Sequence, residues 1–231
     1  MNIAVILAGG TGKRAQQSVP KQFISINGKP LLVYTLEQFE KACEIDKICV
    51  VTLPEYITTV EKYSSTYSIS KLQTVCIGGE TGLESLYNGL IASKAKATDL
   101  IVIHDGVRPF VTQHIIAENL QVAQKYGLAL AATACVETLV HCQAQNNSST
   151  RMIPRDGLYR IQTPQTFRAD ILHALLDDIK DWHSIKEPSI FALFMKEGGK
   201  IYISPSTEKN IKITYVEDVA YFKNLFSVEK K

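Results

Sequence analysis

Residues 3–8, Ile-Ala-Val-Ile-Leu-Ala, form an unbroken apolar run that stops at Gly9-Gly10. A short apolar run ending on glycine reads as a strand buried on both faces and feeding a loop. Runs rich in β-branched residues recur at 47–53, 72–77 and 99–104, with helix-length segments between them. Within 80–95, Leu83, Leu86, Tyr87, Leu90 and Ile91 repeat at helical spacing. Thr112 is placed to cap a helix running towards Gly127, and 128–135 follows as another strand. Strand alternating with helix predicts an α/β fold with a mostly parallel central sheet covered on both faces.

The alternation breaks after Cys135. Residues 136–165 mix polar and β-branched positions around Asn146-Asn147-Ser148-Ser149, which predicts a polar hairpin, a β-arm protruding from the sheet. The α/β pattern returns near Arg168. It predicts a helix to about residue 181, another over 189–197 stopped by Gly198-Gly199, a strand over 200–204 and a closing amphipathic helix over 216–226. The expected organisation is one domain over 1–231, with 136–165 as its arm.

Composition narrows the function classes. The 25 Lys and Arg against 23 Asp and Glu leave a net charge of +2, which argues against a nucleic-acid coat or a membrane-surface patch. No apolar run approaches the ~20 residues that span a bilayer. Met1-Asn2-Ile3 has no basic leader pattern. The five cysteines are scattered and none sits in a C-x-x-C, so a metal-ligand reading is weak and a reducing cytoplasm is expected.

Glycine is locally concentrated: three of the 13 (Gly9, Gly10, Gly12) fall in one loop. The loop fails the Walker A pattern, which would need a glycine where Leu7 stands and Ser or Thr where Arg14 stands. Gly10-Thr11-Gly12-Lys13-Arg14-Ala15 does match the dinucleotide fingerprint, leaving an NAD(P)-dependent oxidoreductase open. Against it, Pro20 interrupts the helix that the fingerprint requires. Lys13, Arg14 and Lys21 instead supply the cations that a nucleoside triphosphate asks for, with glycine N–H groups free to approach the phosphates. The plain alternative is a tight turn with solvated charges.

Leu7-Ala8-Gly9-Gly10-x-Gly12-x-Arg14 followed by Pro20-Lys21-Gln22-Phe23 resembles the nucleotidyltransferases that activate sugar and polyol phosphates. More narrowly, the chain is similar to the cytidylyltransferases acting on ribitol phosphate and methylerythritol phosphate. Further motifs in the same order are Gly78-Gly79, Ser85, His104-Asp105-Gly106-Val107-Arg108-Pro109, Thr163-Pro164-Gln165-x-Phe167 and Asn210-Ile211-Lys212-Ile213-Thr214. The resemblance implies a Rossmann-like nucleotidyltransferase fold and transfer of CMP from CTP to a polyol phosphate with loss of pyrophosphate. It implies nucleotide binding by Ala8, Gly9, Gly10, Thr11, Gly12, Gly78, Gly79, Ser85 and Gly106. Arg14, Lys21 and Lys212 would neutralise charge developing at the α-phosphorus. Asp105, at the end of an apolar strand, would hold Mg²⁺. Arg108 would hold Asp105 or the acceptor phosphate, and Thr138 and Arg155 on the arm would bind that phosphate in the partner's site of a homodimer. His104 is read as a packing or hydrogen-bonding residue and given no role.

Three features depart from the methylerythritol type: Val136 replaces an arginine, Lys186-Glu187-Pro188-Ser189 replaces an acidic segment, and Gly82 replaces an arginine after the glycine pair. The stretch from Pro20 to Pro30 looks more like the ribitol-phosphate branch. D-Ribitol 5-phosphate is therefore the expected acceptor, methylerythritol phosphate the alternative. A non-catalytic nucleotide-binding module is the reading from another class.

Overall fold

A computed structural model describes residues 1–10, 19–142, 148–215, 217–219 and 222. In chain order the elements are β1 (Asn2–Ala8), β2 (Ser25–Ile26), β3 (Lys29–Pro30), α1 (Leu31–Lys41), β4 (Lys47–Thr52), α2 (Ile57–Glu61), α3 (Tyr63–Thr66), β5 (Leu72–Ile77) and α4 (Gly82–Ser93). Then come β6 (Leu100–Asp105), α5 (Gln113–Tyr126), β7 (Leu128–Ala134), β8 (Leu139–His141), β9 (Arg151–Ile153), β10 (Tyr159–Arg168), α6 (Ala169–Leu176), α7 (Ile190–Lys196) and β11 (Ile203–Pro205).

Seven strands form the central sheet in the order β11-β7-β10-β6-β1-β4-β5. All pairings are parallel except those of β10 with β6 and β7. Strand alternation sends neighbours to opposite faces. Ala4, Ile6, Ile48, Val50 and Val102 pack into one core layer with α1 and α5, while Ile3, Val5, Val51, Ile101 and Ile103 pack into the other with α4, α6 and α7. The α/β fold with a mostly parallel sheet is thus the observed one.

The caps follow the side chains. Thr112 Oγ1 accepts from Ile115 N–H at 3.3 Å, and Gly127 closes α5 in the left-handed region at φ 83°. Such a conformation suits glycine.

The arm is shorter than expected. Leu139, Val140 and His141 pair with Ile153, Met152 and Arg151, but residues 159–165 have already rejoined the central sheet as part of β10. The polar pattern of β10 is met internally. Thr166 Oγ1 donates to Asn119 Oδ1 at 2.6 Å and Ser206 Oγ to Gln162 Oε1 at 2.6 Å, so a polar strand sits inside the sheet without unsatisfied groups at these positions. The helix expected to residue 181 ends at Leu176, and the strand expected over 200–204 is Ile203–Pro205. Of the closing helix over 216–226, residues 217–219 and 222 are helical and the rest lies outside the described residues. Among the described residues, no helix is long and apolar enough to cross a membrane.

Candidate active site

Parallel strands in register end together. Ala8 pairs with Thr52, Leu7 with Asp105 and Thr52 with Ile77, so β1, β4, β5 and β6 bring their carboxyl ends to one edge. That edge is where open α/β sheets hold ligands. A cleft of about 630 Å³ opens there, lined among others by Gly9, Gly10, Lys21, Gly79, Ser85, Asp105 and Lys212.

One wall is the Gly9-Gly10 turn after β1. Gln22, 1% exposed, donates from Nε2 to Ala8 O at 2.7 Å and to Gly10 O at 2.9 Å. These bonds tie the end of β1 and the glycine pair to the Lys21–Phe23 segment. Ala8 and Lys21 also line it. Thr11, Gly12 and Arg14 lie outside the described residues.

The opposite wall is the start of α4. Thr81 caps it by accepting from Glu84 N–H at 3.1 Å. Ser85 Oγ accepts from Gly79 N–H at 3.0 Å and donates to Thr81 O at 2.9 Å, which ties the glycine pair to the helix. A Cβ on Gly78 would sit 3.0 Å from Ser85 Oγ, tighter than an ordinary contact, so glycine suits this close approach. Neither Gly78, which is half-buried, nor Gly106, which is buried, lines the cleft. Gly106 N–H donates to Leu7 O at 2.9 Å and its carbonyl accepts from Thr35 Oγ1 at 3.0 Å.

The floor carries the charges. Asp105 Oδ1 accepts from Lys212 Nζ at 2.9 Å and Oδ2 from Arg108 Nε at 2.8 Å. Burial alone would raise this carboxyl. The charges of Lys212 and Arg108, with their hydrogen bonds, outweigh burial and hold it at about 2. It is ionised at neutral pH. Lys212 lies in an irregular segment anchored by Ile213 N–H to Val107 O at 2.9 Å, and its side chain is 45% exposed. Arg108 also donates from Nη1 to Asn210 O at 2.9 Å. Of the two roles expected for Arg108, holding Asp105 is the one this geometry displays. Behind them, burial lowers the buried His104 imidazole to about 4, so it is neutral.

A Mg²⁺ ion that takes most of its shell from phosphates and water needs one or two carboxylates. Asp105 fits that demand, since among the described residues each of its oxygens accepts one bond and keeps a second lone pair. An all-protein cage is not what the side chains offer: among the described residues no three His, Cys, Asp or Glu cluster.

Thr138 and Arg155 do not line the cleft of their own chain. Both are exposed on the arm, and Arg155 donates from Nη1 to Val136 O at 3.1 Å beside a hollow of about 300 Å³ at the arm's root. The departures also have local structure. A Cβ at Gly82 would meet nothing within 4 Å, Glu187 pairs with Lys196 at 2.9 Å, and Ser189 caps α7.

Four residues of the site drew no role from the sequence: Gln22, Thr163, Asn210 and Glu80. Gln22, Thr163 and Asn210 stand inside motifs quoted above, and that was their only signal. Glu80 lines the cleft and is held by His183 Nε2 at 2.7 Å across 103 residues of sequence, which no local pattern reveals.

The 2-C-methyl-D-erythritol 4-phosphate cytidylyltransferase (IspD) family model matches residues 2–227. A ribitol-5-phosphate cytidylyltransferase of Lacticaseibacillus paracasei is 32% identical over 227 residues, covering 96% of this chain and 97% of the relative. A 2-C-methyl-D-erythritol 4-phosphate cytidylyltransferase of Clostridium botulinum is 35% identical over 217 residues, covering 94% and 95%. The crystal structure of the Francisella tularensis 2-C-methyl-D-erythritol 4-phosphate cytidylyltransferase superposes with a TM-score of 0.72 at 29% identity, covering 96% of this chain and 97% of that one. These matches leave the oxidoreductase reading without support.

Proposed function

The chain belongs to the 2-C-methyl-D-erythritol 4-phosphate cytidylyltransferase family, a family of nucleotidyltransferases, and on that premise we propose that it transfers CMP from CTP to D-ribitol 5-phosphate. The observation that carries the reading is the Lys212–Asp105–Arg108 array on the floor of a cleft walled by Gly9-Gly10 and Gly79-Ser85. The reaction is attack of an acceptor phosphate oxygen on the α-phosphorus, with pyrophosphate leaving. No covalent enzyme nucleophile is required; the protein's task is to position the two phosphates and stabilise charge.

Main-chain N–H groups of Gly9 and Gly10 face the triphosphate, and Lys21 and Lys212 neutralise the charge that grows on the α-phosphoryl and the leaving group. Arg14 adds the forked cation of the loop. Ser85 and Gly79 line the base end. Asp105 orients Lys212 and is the residue that would hold Mg²⁺, which supplies Lewis-acid stabilisation of the phosphates when bound.

Thr138 and Arg155 reach the acceptor phosphate only if the arm enters another subunit's cleft. The arm's composition supports that: Val136, Val140, Met152 and Tyr159 are 60, 56, 63 and 50% exposed. An isolated two-stranded hairpin is marginal in water, and a second copy packed on these side chains would hold it. The chain then works as a homodimer with shared sites. Its five cysteines are all unpaired, in keeping with a reducing cytoplasm.

Ribitol 5-phosphate is preferred over methylerythritol phosphate because Val136 and the Lys186–Ser189 segment depart from the latter type on the acceptor side, and Pro20 to Pro30 follows the former. The test is pyrophosphate release from CTP and Mg²⁺ with a panel of polyol phosphates. Release with ribitol 5-phosphate well above the others is expected. Release with methylerythritol phosphate alone overturns the acceptor, and none with any acceptor and any of the four nucleotides overturns the transferase reading.

A further inference from the structure

His104 occupies a position that packing alone would fill with an apolar side chain. It pairs in register with Ile6, is 0% exposed, and its ring lies 4.9 Å from Phe39. Burying an imidazole there costs solvation unless both nitrogens are bonded. Both are: Nδ1 is 3.0 Å from Thr163 Oγ1 and Nε2 is 3.2 Å from Arg108 O.

The directions of these bonds follow from the partners. The Arg108 carbonyl can only accept, so Nε2 carries the proton. Thr163 Oγ1 accepts from Asp105 N–H at 3.2 Å, which leaves its own hydroxyl proton to point at Nδ1. The reverse tautomer would set a ring lone pair against the Arg108 carbonyl. One arrangement satisfies every group.

Building on the site reading above, we propose that His104 is a positioning residue, held as the Nε2–H tautomer, that fixes the Asp105–Arg108 turn from behind and so sets how Asp105 and Lys212 meet the triphosphate. The turn is clamped at both ends, by Thr163 on Asp105 N–H and by His104 on Arg108 O. With its carbonyl pinned, Arg108 reaches both Asp105 Oδ2 and Asn210 O, and Asn210 stands two residues before Lys212. The imidazole acts through Arg108 without touching the cleft.

The experiment compares His104→Phe, which keeps the ring on Phe39 and removes both bonds, with His104→Gln, which returns an N–H within reach of Arg108 O. His104→Phe is expected to lower kcat by about 10- to 100-fold with KM for CTP within about 3-fold, the mark of misplaced rather than missing groups, and His104→Gln to recover most of the loss. Wild-type kcat in His104→Phe, or equal losses in both variants, would overturn the proposal. Imidazole ¹⁵N spectra of the wild-type protein provide a readout independent of variant folding: Nε2 protonated and Nδ1 bare is expected, and the reverse would overturn it. Asp105→Asn and Lys212→Ala are measured alongside. If both keep full turnover, the site reading itself fails; if both lose it while His104→Phe does not, only the role of His104 falls.

Discussion

At the cleft floor, Asp105 has a side chain 19% exposed and binds two cations of its own chain; on the arm, Val140 and Met152 are 56% and 63% exposed in a hairpin only three residues long on each side. The cleft's charged groups meet one another across 107 residues of sequence, through Lys212 and Asp105. The arm's site candidates, Thr138 and Arg155, meet none of the cleft's among the described residues. The difference separates what one chain assembles from what it offers. On the reading proposed above, the nucleotide-side groups are preorganised within one chain, whereas the acceptor-side groups Thr138 and Arg155 are completed by a second copy.

The largest expected effect is at the floor. Asp105→Asn and Lys21→Ala each reduce turnover by about 100-fold or more, as for loss of a preorganised charge, while CTP affinity falls far less. Steady-state kinetics with a direct CTP titration checks this. A nucleotide-binding module without catalysis would instead lose little affinity and have no turnover to lose.

Val140→Lys combined with Met152→Lys comes next. Charges on the exposed arm face are expected to shift the sedimentation profile from dimer to monomer and to remove most turnover, with CTP binding retained. A monomeric wild-type protein with full activity would dissolve the contrast between the two regions.

Titration sharpens the comparison further. The Asp105 carboxyl is held at about 2, below its ordinary value, so its contribution to stability is fully present above the unfolded-state value of ~3.9 and is lost as pH falls through about 2. In Lys212→Ala the carboxyl midpoint, followed by ¹³C NMR, should rise towards the ordinary range. In Arg155→Ala it should not move, since the arm lies outside that network.

The smallest effect belongs to neither region. Thr112→Ala removes the α5 cap and should cost about 1 kcal/mol in denaturant unfolding with unchanged kinetics.

How much of this was legible in the sequence depends on what each residue contacts. The strands β1, β4, β6 and β7 are buried on both faces and betray themselves as apolar runs, the half-exposed edge strand β5 shows through its β-branched residues, and Thr112 and Gly127 mark the ends of α5. Helix α1 has no matching expectation above; Leu31 to Leu36 are all buried, so its first six residues read as a continuous run. The polar strand β10 passed for solvent-facing arm, since the side chains that satisfy it come from Asn119 and Ser206, far away in sequence. At the site, the motifs marked Asp105, Lys212 and the glycine pair as candidates. The pairing of Arg108 with Asp105 was already an expectation; that Lys212 joins them from 107 residues away, with His104 and Asn210 behind, is tertiary geometry that no spacing encodes.

The most direct test of one site built from two chains is complementation. Lys212→Ala and Arg155→Ala proteins, each nearly inactive alone, are unfolded together, refolded as mixed dimers and assayed for pyrophosphate release. Shared sites predict recovery of about a quarter of wild-type turnover, because half of the dimers are mixed and one of the two sites in each is intact. Activity that stays at the sum of the two separate variants would contradict the account.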